Sequence, residues 1–126
     1  MAGEQILVVE DNEKNMKLLR DVLRAAGYRT LEASTGDQAL LLATEQGPAL
    51  VLMDVRLPDM GGAEALGRLR MDERTASIPV LAVSAQAMKG DSERFKEAGF
   101  DGYLSKPVDI DELLMTVEQH CRRRGG

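Results

Sequence analysis

The sequence predicts a doubly wound α/β fold, in which five short strands form a mostly parallel sheet and five helices cover it. Short apolar runs alternate with helical patterns along the chain, the runs stop at polar or charged residues, and glycine ends three of the helical patterns. Such alternation is typical of parallel sheets, because a parallel crossover usually contains a helix. No repeat, low-complexity tract or linker interrupts the pattern. We therefore expect one domain over residues 1–126, with a core from about residue 5 to about residue 120.

The strands are predicted at five apolar runs. The first covers residues 5–9, and the second, at 28–33, alternates weakly. The third, at 50–53, is continuously apolar, which is the pattern of a strand buried on both faces. The fourth covers 79–83, and the fifth is the short segment 103–104.

The helical patterns have recognisable ends. Gly27, Gly47 and Gly99 follow the first, second and fourth patterns as stop signals. The second pattern opens at the N-cap candidates Ser34-Thr35, the third is a shorter helix, and the fourth is predicted over 88–98. The last begins at the cap Asp109, and Glu112 stands three residues later in capping-box spacing. The apolar positions that mark the third and fifth helices are Ala63, Leu66 and Leu69, and Ile110, Leu113, Leu114 and Val117.

Chemically useful side chains stand where the predicted strands end. Glu10 and Asp11 follow the first strand, Asp54 the third, Ser84 the fourth and Lys106 the fifth. The carboxyl ends of parallel strands meet at one sheet edge, where ligands bind in open α/β folds. Three clustered carboxylates repel one another, so Lys106 and a divalent cation would offset their charge. Oxygen ligands without His or Cys favour Mg²⁺ or Mn²⁺ over zinc, although Asp54 alone could equally be a turn residue.

Composition excludes several classes of protein. A chain of 126 residues with 44% hydrophobic content can bury the core of one globular domain. The net charge of −5 disfavours a nucleic-acid surface, and the basic run at 122–124 fits a helix end. Cys121 stands alone, so we expect an inert thiol, no disulfide and a reducing compartment. No apolar run approaches the ~20 residues of a membrane span, and we expect a soluble, cytoplasmic protein.

The strand-end motifs resemble the receiver domain of two-component response regulators. Glu10-Asp11, Met53-Asp54 with Leu57-Pro58, Ser84-Ala85 and Lys106-Pro107 stand at the family's motif positions in order. The resemblance covers about residues 5–117, and the stretches 87–91 and 103–107 are similar to single-domain DivK-type regulators. They also resemble receivers attached to hybrid histidine kinases. The resemblance implies a flavodoxin- or CheY-like sheet of order 2-1-3-4-5 and a cis bond between Lys106 and Pro107.

The resemblance also implies a phosphoacceptor role for Asp54, which would receive a phosphoryl group from a histidine kinase or a phosphotransfer protein. Asp11, Asp54 and the backbone carbonyl of Arg56 would bind Mg²⁺, and Glu10 would hold a bound water. Lys106 would contact the phosphoryl group. These roles fit a reaction that chiefly needs positioning and charge neutralisation.

A switch role is implied for two further residues. Ser84 would move toward a phosphoryl oxygen, and Tyr103 would turn inward into the vacated space. The change would reach a face built from the fourth helix, the fifth strand and the fifth helix, which would bind a downstream protein. We expect no nucleic-acid or membrane partner.

Three functions remain compatible with the sequence. The first is a phosphorylation-controlled signalling module that is not a turnover enzyme, either standalone or excised from a hybrid histidine kinase. The second is an aspartyl-phosphate phosphatase, but such enzymes carry an aspartate two residues after the nucleophile, where Arg56 stands. The third is a flavodoxin-like cofactor binder, in whose phosphate loop Glu10 and Asp11 would repel phosphate.

Overall fold

The computed structural model describes residues 3–85 and 91–125. Its five strands form one parallel sheet in the order β2-β1-β3-β4-β5, which confirms the predicted fold class and strand order. The elements, in chain order, are β1 (Gln5–Val9), α1 (Glu13–Ala25), β2 (Arg29–Ala33), α2 (Gly36–Gln46), β3 (Leu50–Asp54), α3 (Gly62–Met71), β4 (Val80–Ser84), α4 (Asp91–Ala98), β5 (Gly102–Ser105) and α5 (Ile110–Gly125). None of the helices in the described part of the chain combines the length and apolarity that crossing a membrane requires.

The sheet separates two hydrophobic cores, because successive side chains of a strand point to opposite faces. Leu7 and Val9 of β1 face α2, α3 and α4, whereas Ile6 and Val8 face α1 and α5. The same alternation continues along β3 and β4. The first core contains Leu7, Val9, Ala33, Ala39, Ala43, Val51, Met53, Ala65, Leu66, Leu69, Ile78, Val80, Ala82, Phe95 and Phe100. The second contains Ile6, Val8, Met16, Leu19, Leu23, Leu50, Leu52, Leu81, Val83, Leu104, Leu113, Val117 and Cys121.

The strand register brings the carboxyl ends of the strands level with one another. Met53 pairs with Val9, Asp54 with Val83, and Ser84 with Ser105. The residues that follow β1 and β5 therefore lie at the same edge of the sheet as the ends of β3 and β4. This edge is where the functional side chains were predicted to meet.

The predicted helix caps form. The Thr35 hydroxyl accepts a hydrogen bond from Gln38 N at 3.1 Å, and Asp109 Oδ1 accepts one from Glu112 N at 3.0 Å. Gly47 is the C-cap of α2, and Gly99 follows α4 with φ 106°, in the left-handed region that favours glycine. Local capping chemistry thus sets these helix ends.

The boundaries of four strands differ from the predictions, and β5 spans Gly102–Ser105 rather than 103–104. β2 begins at Arg29 rather than at 28, because Tyr28 N donates to Leu23 O and closes the end of α1. β3 extends through Asp54 because Asp54 pairs with Val83 in the ladder. β4 runs one residue later than predicted, and the part of the predicted fourth helix at 88–90 lies outside the described residues.

The predicted buried stripe of α5 is partly wrong. Leu113 and Val117 are buried, and Leu114 packs partly against the same core. Ile110, however, is 48% exposed, because it is the first residue of α5 and lies at the helix end. On α3, Ala63 is also exposed, whereas Leu66 and Leu69 are buried as predicted.

Candidate functional site

Three carboxylates meet at the carboxyl edge of the sheet. Glu10, Asp11 and Asp54 each bring one oxygen into a group whose members all lie within 4.8 Å of one another. Glu10 and Asp54 are only 2% and 5% exposed, whereas Asp11 is exposed to solvent. The sheet thus assembles acidic groups from β1 and β3 closely enough to share one cation.

Lys106 bridges two of these carboxylates. Its Nζ donates to Asp54 Oδ2 at 2.9 Å and lies 2.7 Å from Glu10 Oε1. The Glu10 contact is an ion pair whose distance is within hydrogen-bonding range. The Lys106–Pro107 peptide bond is cis. Three carboxylates facing one ammonium leave a formal charge of −2 at this edge.

Backbone amides fix the remaining oxygens of the buried carboxylates. Asp54 Oδ1 accepts from Arg56 N at 2.8 Å, and Glu10 Oε2 accepts from Asn12 N at 3.1 Å. Glu10 Oε1 is different, since it is buried and, among the described residues, pairs with the Lys106 ammonium rather than with a backbone amide. Buried polar atoms normally find a partner. A carboxylate oxygen can accept more than one hydrogen bond, so Glu10 Oε1 has room for a water or a metal-bound water besides Lys106. The all-oxygen donor set fits a hard divalent cation.

Burial and mutual charge shift the pKa of two of these groups. Burial raises the pKa of the Glu10 carboxyl above its usual range, and Asp54 adds to the rise, although Lys106 opposes it. Burial pulls the pKa of Lys106 down, but Glu10 and Asp54 together outweigh it and raise that pKa. The ammonium is therefore firmly charged, and the acidic cluster is held together by it.

A cavity of about 300 Å³ opens above the carboxylates. This volume lies at the lower end of ligand sites and suits a hydrated cation with a phosphoryl-sized group. The cavity is lined by Glu10, Asp11, Asn12, Asn15, Asp54, Val55, Arg56, Ala85 and Lys106.

Three other predicted site residues lie around the three carboxylates and the Lys106 ammonium rather than among them. Ser84 is buried at the end of β4, and its carbonyl accepts from Lys106 N at 2.8 Å. Arg56 contacts Asp54 through its backbone N–H, and its side chain is exposed. Tyr103 is half-buried on β5 and packs against Phe95, with ring centroids 5.4 Å apart.

Sequence reasoning missed two residues that shape the site. Asn12 caps α1 by accepting from Asn15 N at 3.1 Å, while its own N–H holds Glu10. An asparagine directly before a helical pattern is the signal that would have found it. Asp59 bonds to the start of α2, and no local pattern announces a contact across 23 residues.

Comparison with known proteins points to one family. The response regulator receiver domain family matches residues 6–118 of the chain. The polar-differentiation response regulator DivK of Brucella ovis is 44% identical over 117 residues, which cover 93% of this chain and 95% of that protein.

Solved structures show the same similarity. The receiver domain of the sensor histidine kinase PA1611 from Pseudomonas aeruginosa PAO1 has a TM-score of 0.87 and 37% identity, covering 95% of this chain and 98% of its own. That structure has a magnesium ion coordinated in its active site cleft. A CheY-like receiver domain protein from Methanospirillum hungatei JF-1 has a TM-score of 0.87 and 26% identity, covering 98% of each chain.

Proposed function

Because the chain belongs to the response regulator receiver domain family, we propose that Asp54 takes a phosphoryl group from a histidine kinase or a histidine phosphotransfer protein. The observation that supports this most strongly is the bridge that Lys106 makes between Glu10 and Asp54, beside the exposed Asp11. A carboxylate nucleophile, candidate cation ligands and a fixed ammonium thereby line one cavity. Phosphoryl transfer needs little more than such positioning and charge neutralisation.

The site is proposed to hold Mg²⁺, with Mn²⁺ as an alternative. Asp11 and Asp54 would bind the ion through carboxylate oxygens, the backbone carbonyl of Arg56 would be the third protein ligand, and Glu10 would hold a bound water. The closeness of the three carboxylates and the oxygen-only donor set support this assignment. The ion would supply charge neutralisation and would orient phosphoryl oxygens.

Asp54 is proposed to make the covalent bond. One of its carboxylate oxygens bonds to phosphorus while the bond between phosphorus and the donor nitrogen breaks. The hydrogen bond from Arg56 N to Oδ1 orients the carboxylate before the donor arrives. Lys106, already 2.9 Å from Asp54 Oδ2, then faces the phosphoryl oxygens as a fixed positive charge.

Ser84 and Tyr103 are proposed to transmit the change. The Ser84 hydroxyl would move to a phosphoryl oxygen, and Tyr103 would turn inward beside Phe95. One or two charge-assisted hydrogen bonds supply about 1.5–3 kcal/mol each. A shift from 1:99 to 99:1 requires about 5.5 kcal/mol. Most of the resulting range of about 1.5–6 kcal/mol lies below this requirement. We therefore propose that phosphorylation alone shifts the population partly and that partner binding completes the shift.

The output is proposed to be protein binding rather than turnover, through the face of α4, β5 and α5. The family match supports this choice of face, whereas the exposed Ile110 and Met115 lie five residues apart on α5 and form no single apolar patch. The proposal treats residues 1–126 as a single receiver domain. A cytoplasmic location belongs to the same proposal, since a reducing compartment suits the lone Cys121.

Phosphotransfer from purified, phosphorylated histidine kinases tests the proposed function. The wild-type chain with Mg²⁺ should become labelled by at least one kinase of a panel, and Asp54→Asn should not. Equal labelling of Asp54→Asn would refute the assignment of the phosphoacceptor.

A second candidate is a receiver that belongs to a hybrid histidine kinase. The 37% identity to the receiver of the kinase PA1611 favours it, whereas the 44% identity to the response regulator DivK favours a standalone regulator. Sequencing the open reading frame around this chain distinguishes the two. An adjoining kinase domain in the same frame would support the hybrid kinase.

A further inference from the structure

We propose that Asp59 is a positioning residue, which holds the loop carrying Arg56 in the geometry that Mg²⁺ binding requires. The loop comprises residues 55–61, between β3 and α3. This inference rests on the proposed function, because it concerns the same metal site and takes the Arg56 carbonyl as a ligand. It adds a residue that lies outside the cavity and touches neither the cation ligands nor the reacting carboxylate.

The outer end of the loop is bound to the start of α2 by the Asp59 carboxylate. Asp59 Oδ1 accepts from Gly36 N at 2.8 Å, and Oδ2 accepts from Asp37 N at 3.0 Å. The next amide, Gln38 N, is satisfied within α2 by the Thr35 hydroxyl. The first amides of a helix have no partner within the helix. Asp59 thus caps α2 from a different part of the chain.

An apolar contact reinforces this attachment. Gly36 is buried beneath Met60, and a Cβ atom built on Gly36 would lie 2.5 Å from Met60 Cγ. The absence of a side chain at Gly36 therefore lets the loop approach the helix start closely. The two amides that bind Asp59 also lower its carboxyl pKa, and the resulting carboxylate suits the positive end of the helix dipole.

The inner end of the loop is closed by a hydrogen bond between its first residue and the start of α3. Gly62 N donates to Val55 O at 3.0 Å, and a Cβ atom on Gly62 would lie 2.8 Å from Val55 Cα. Arg56 lies between this inner anchor and the outer anchor at Asp59, and its N–H binds Asp54 Oδ1. Without Asp59, the loop would keep its inner attachment, the backbone bridge between Arg56 and Gly61 and the packing of Met60 on Gly36. It would lose both hydrogen bonds that fix its outer end. The Arg56 carbonyl would then lose part of its fixed position.

Calorimetric titration of Mg²⁺ into the full chain tests this role without measuring phosphorylation. Asp59→Ala should raise the dissociation constant for Mg²⁺ about tenfold. This is the lower end of the effect of losing a residue that supports metal ligands from outside the coordination sphere. Asp59→Asn removes the same charge but keeps an amide oxygen that can accept one N–H. It should therefore recover part of the affinity, which separates hydrogen bonding from long-range charge.

Two control variants change residues at the same start of α2 but keep both hydrogen bonds of Asp59. Thr35→Ala removes the other cap of the same helix end and does not touch the loop. Asp37→Asn removes a neighbouring charge and keeps the backbone N–H that donates to Asp59. Both should stay within about twofold of wild type, the usual range for surface changes.

Several outcomes would overturn the proposal. It fails if Asp59→Ala folds and binds Mg²⁺ within twofold of wild type, or if Thr35→Ala loses as much affinity as Asp59→Ala. If Asp59→Ala does not fold, Asp59→Asn is the deciding variant. Its Mg²⁺ affinity must then be lower than that of both control variants, or the proposal fails. Absent Mg²⁺ binding in wild type would instead refute the proposed metal site, and with it this role of Asp59.

Discussion

Lys106 Nζ lies 2.9 Å from Asp54 Oδ2, although 52 residues separate the two in sequence. Three strands place this pair. Asp54 is held by its register with Val83 on β4, and the Lys106 backbone is held by the carbonyl of Ser84 at the end of the same strand. The ammonium is thus fixed by the sheet itself and compensates the buried carboxylates of β1 and β3.

Replacing Lys106 by alanine should tighten Mg²⁺ binding while impairing phosphoryl transfer. The formal charge of the cluster falls from −2 to −3, and a divalent ion near the lost charge gains about 1–2 kcal/mol, or roughly tenfold in affinity. Calorimetry measures the first effect, and labelling from acetyl phosphate measures the second. Lys96→Ala, an exposed position on α4, is the control and should change neither. Unchanged Mg²⁺ affinity in Lys106→Ala would argue against a cation beside this ammonium.

Replacing Ser84 by alanine should uncouple phosphorylation from the change at Tyr103. The metal ligands and Lys106 remain, so Mg²⁺ binding and labelling of Asp54 should persist. The hydroxyl that would follow the phosphoryl group is gone, so phosphorylation should no longer shift the Tyr103 signals in NMR spectra. Ser84→Thr keeps a hydroxyl and should retain the shift. Identical spectral changes in wild type and Ser84→Ala would remove Ser84 from the switch.

Arg70 is predicted to matter for stability but not for the site. It donates to Ile78 O at 2.6 Å and to Asp101 Oδ2 at 2.9 Å, and so ties α3 to the segments around β4 and β5. Arg70→Ala should reduce the free energy of unfolding by about 1–3 kcal/mol, because the part-buried carbonyls of Ala76 and Ile78 lose this donor. Arg68→Ala breaks only the exposed pair with Glu64 and should cost about 0.5 kcal/mol or less. Urea unfolding measures both changes, and a loss of Mg²⁺ affinity in folded Arg70→Ala would contradict the separation.

The Cys121 thiol is predicted to be alkylated slowly. It is also predicted to make the free energy of unfolding fall as the pH becomes alkaline. Burial, followed by the negative charge of Glu4, raises the pKa of Cys121 to about 11 from an ordinary 9.0. At pH 8 the native thiolate fraction is therefore roughly a hundredfold lower than in the unfolded chain, and alkylation should be slower by at least that factor.

The raised pKa of Cys121 also makes the folded state less stable at alkaline pH. The folded state keeps the Cys121 proton up to a higher pH than the unfolded state does. The contribution of the thiol to the free energy of unfolding is therefore complete below pH 9 and is lost as the pH rises from about 9 to about 11. Cys121→Ala should lack this part of the alkaline slope in unfolding measurements. Parallel pH profiles for the two proteins would show that the thiol does not contribute.

Most of the fold was predictable because local patterns and tertiary structure agree. The continuous apolar run at 50–53 is buried on both faces, and Thr35 and Asp109 cap the helices that their positions indicate. Ile110 was predicted wrongly because helical periodicity specifies a face but not where along a helix the contact with the sheet begins. The role of Asp59 depends on packing of the loop against α2, which no local spacing encodes.

The site was predictable to a similar extent. Parallel strands must bring their carboxyl ends to one edge, so the meeting of Glu10, Asp11 and Asp54 followed from their positions after β1 and β3. The bridging of two carboxylates by one Lys106 ammonium depends on side-chain geometry that spacing leaves open.

Mapping the phosphoryl group after incubation with acetyl phosphate tests the central proposal most directly. Peptide mass spectrometry should locate the modification on Asp54 in the wild-type chain with Mg²⁺, and chelation of the metal should abolish it. Asp111→Asn, an exposed acidic control on α5, should be modified like wild type, and Asp54→Asn should not be modified. Modification of another residue in the wild-type chain, or undiminished modification of Asp54→Asn, would contradict the proposal.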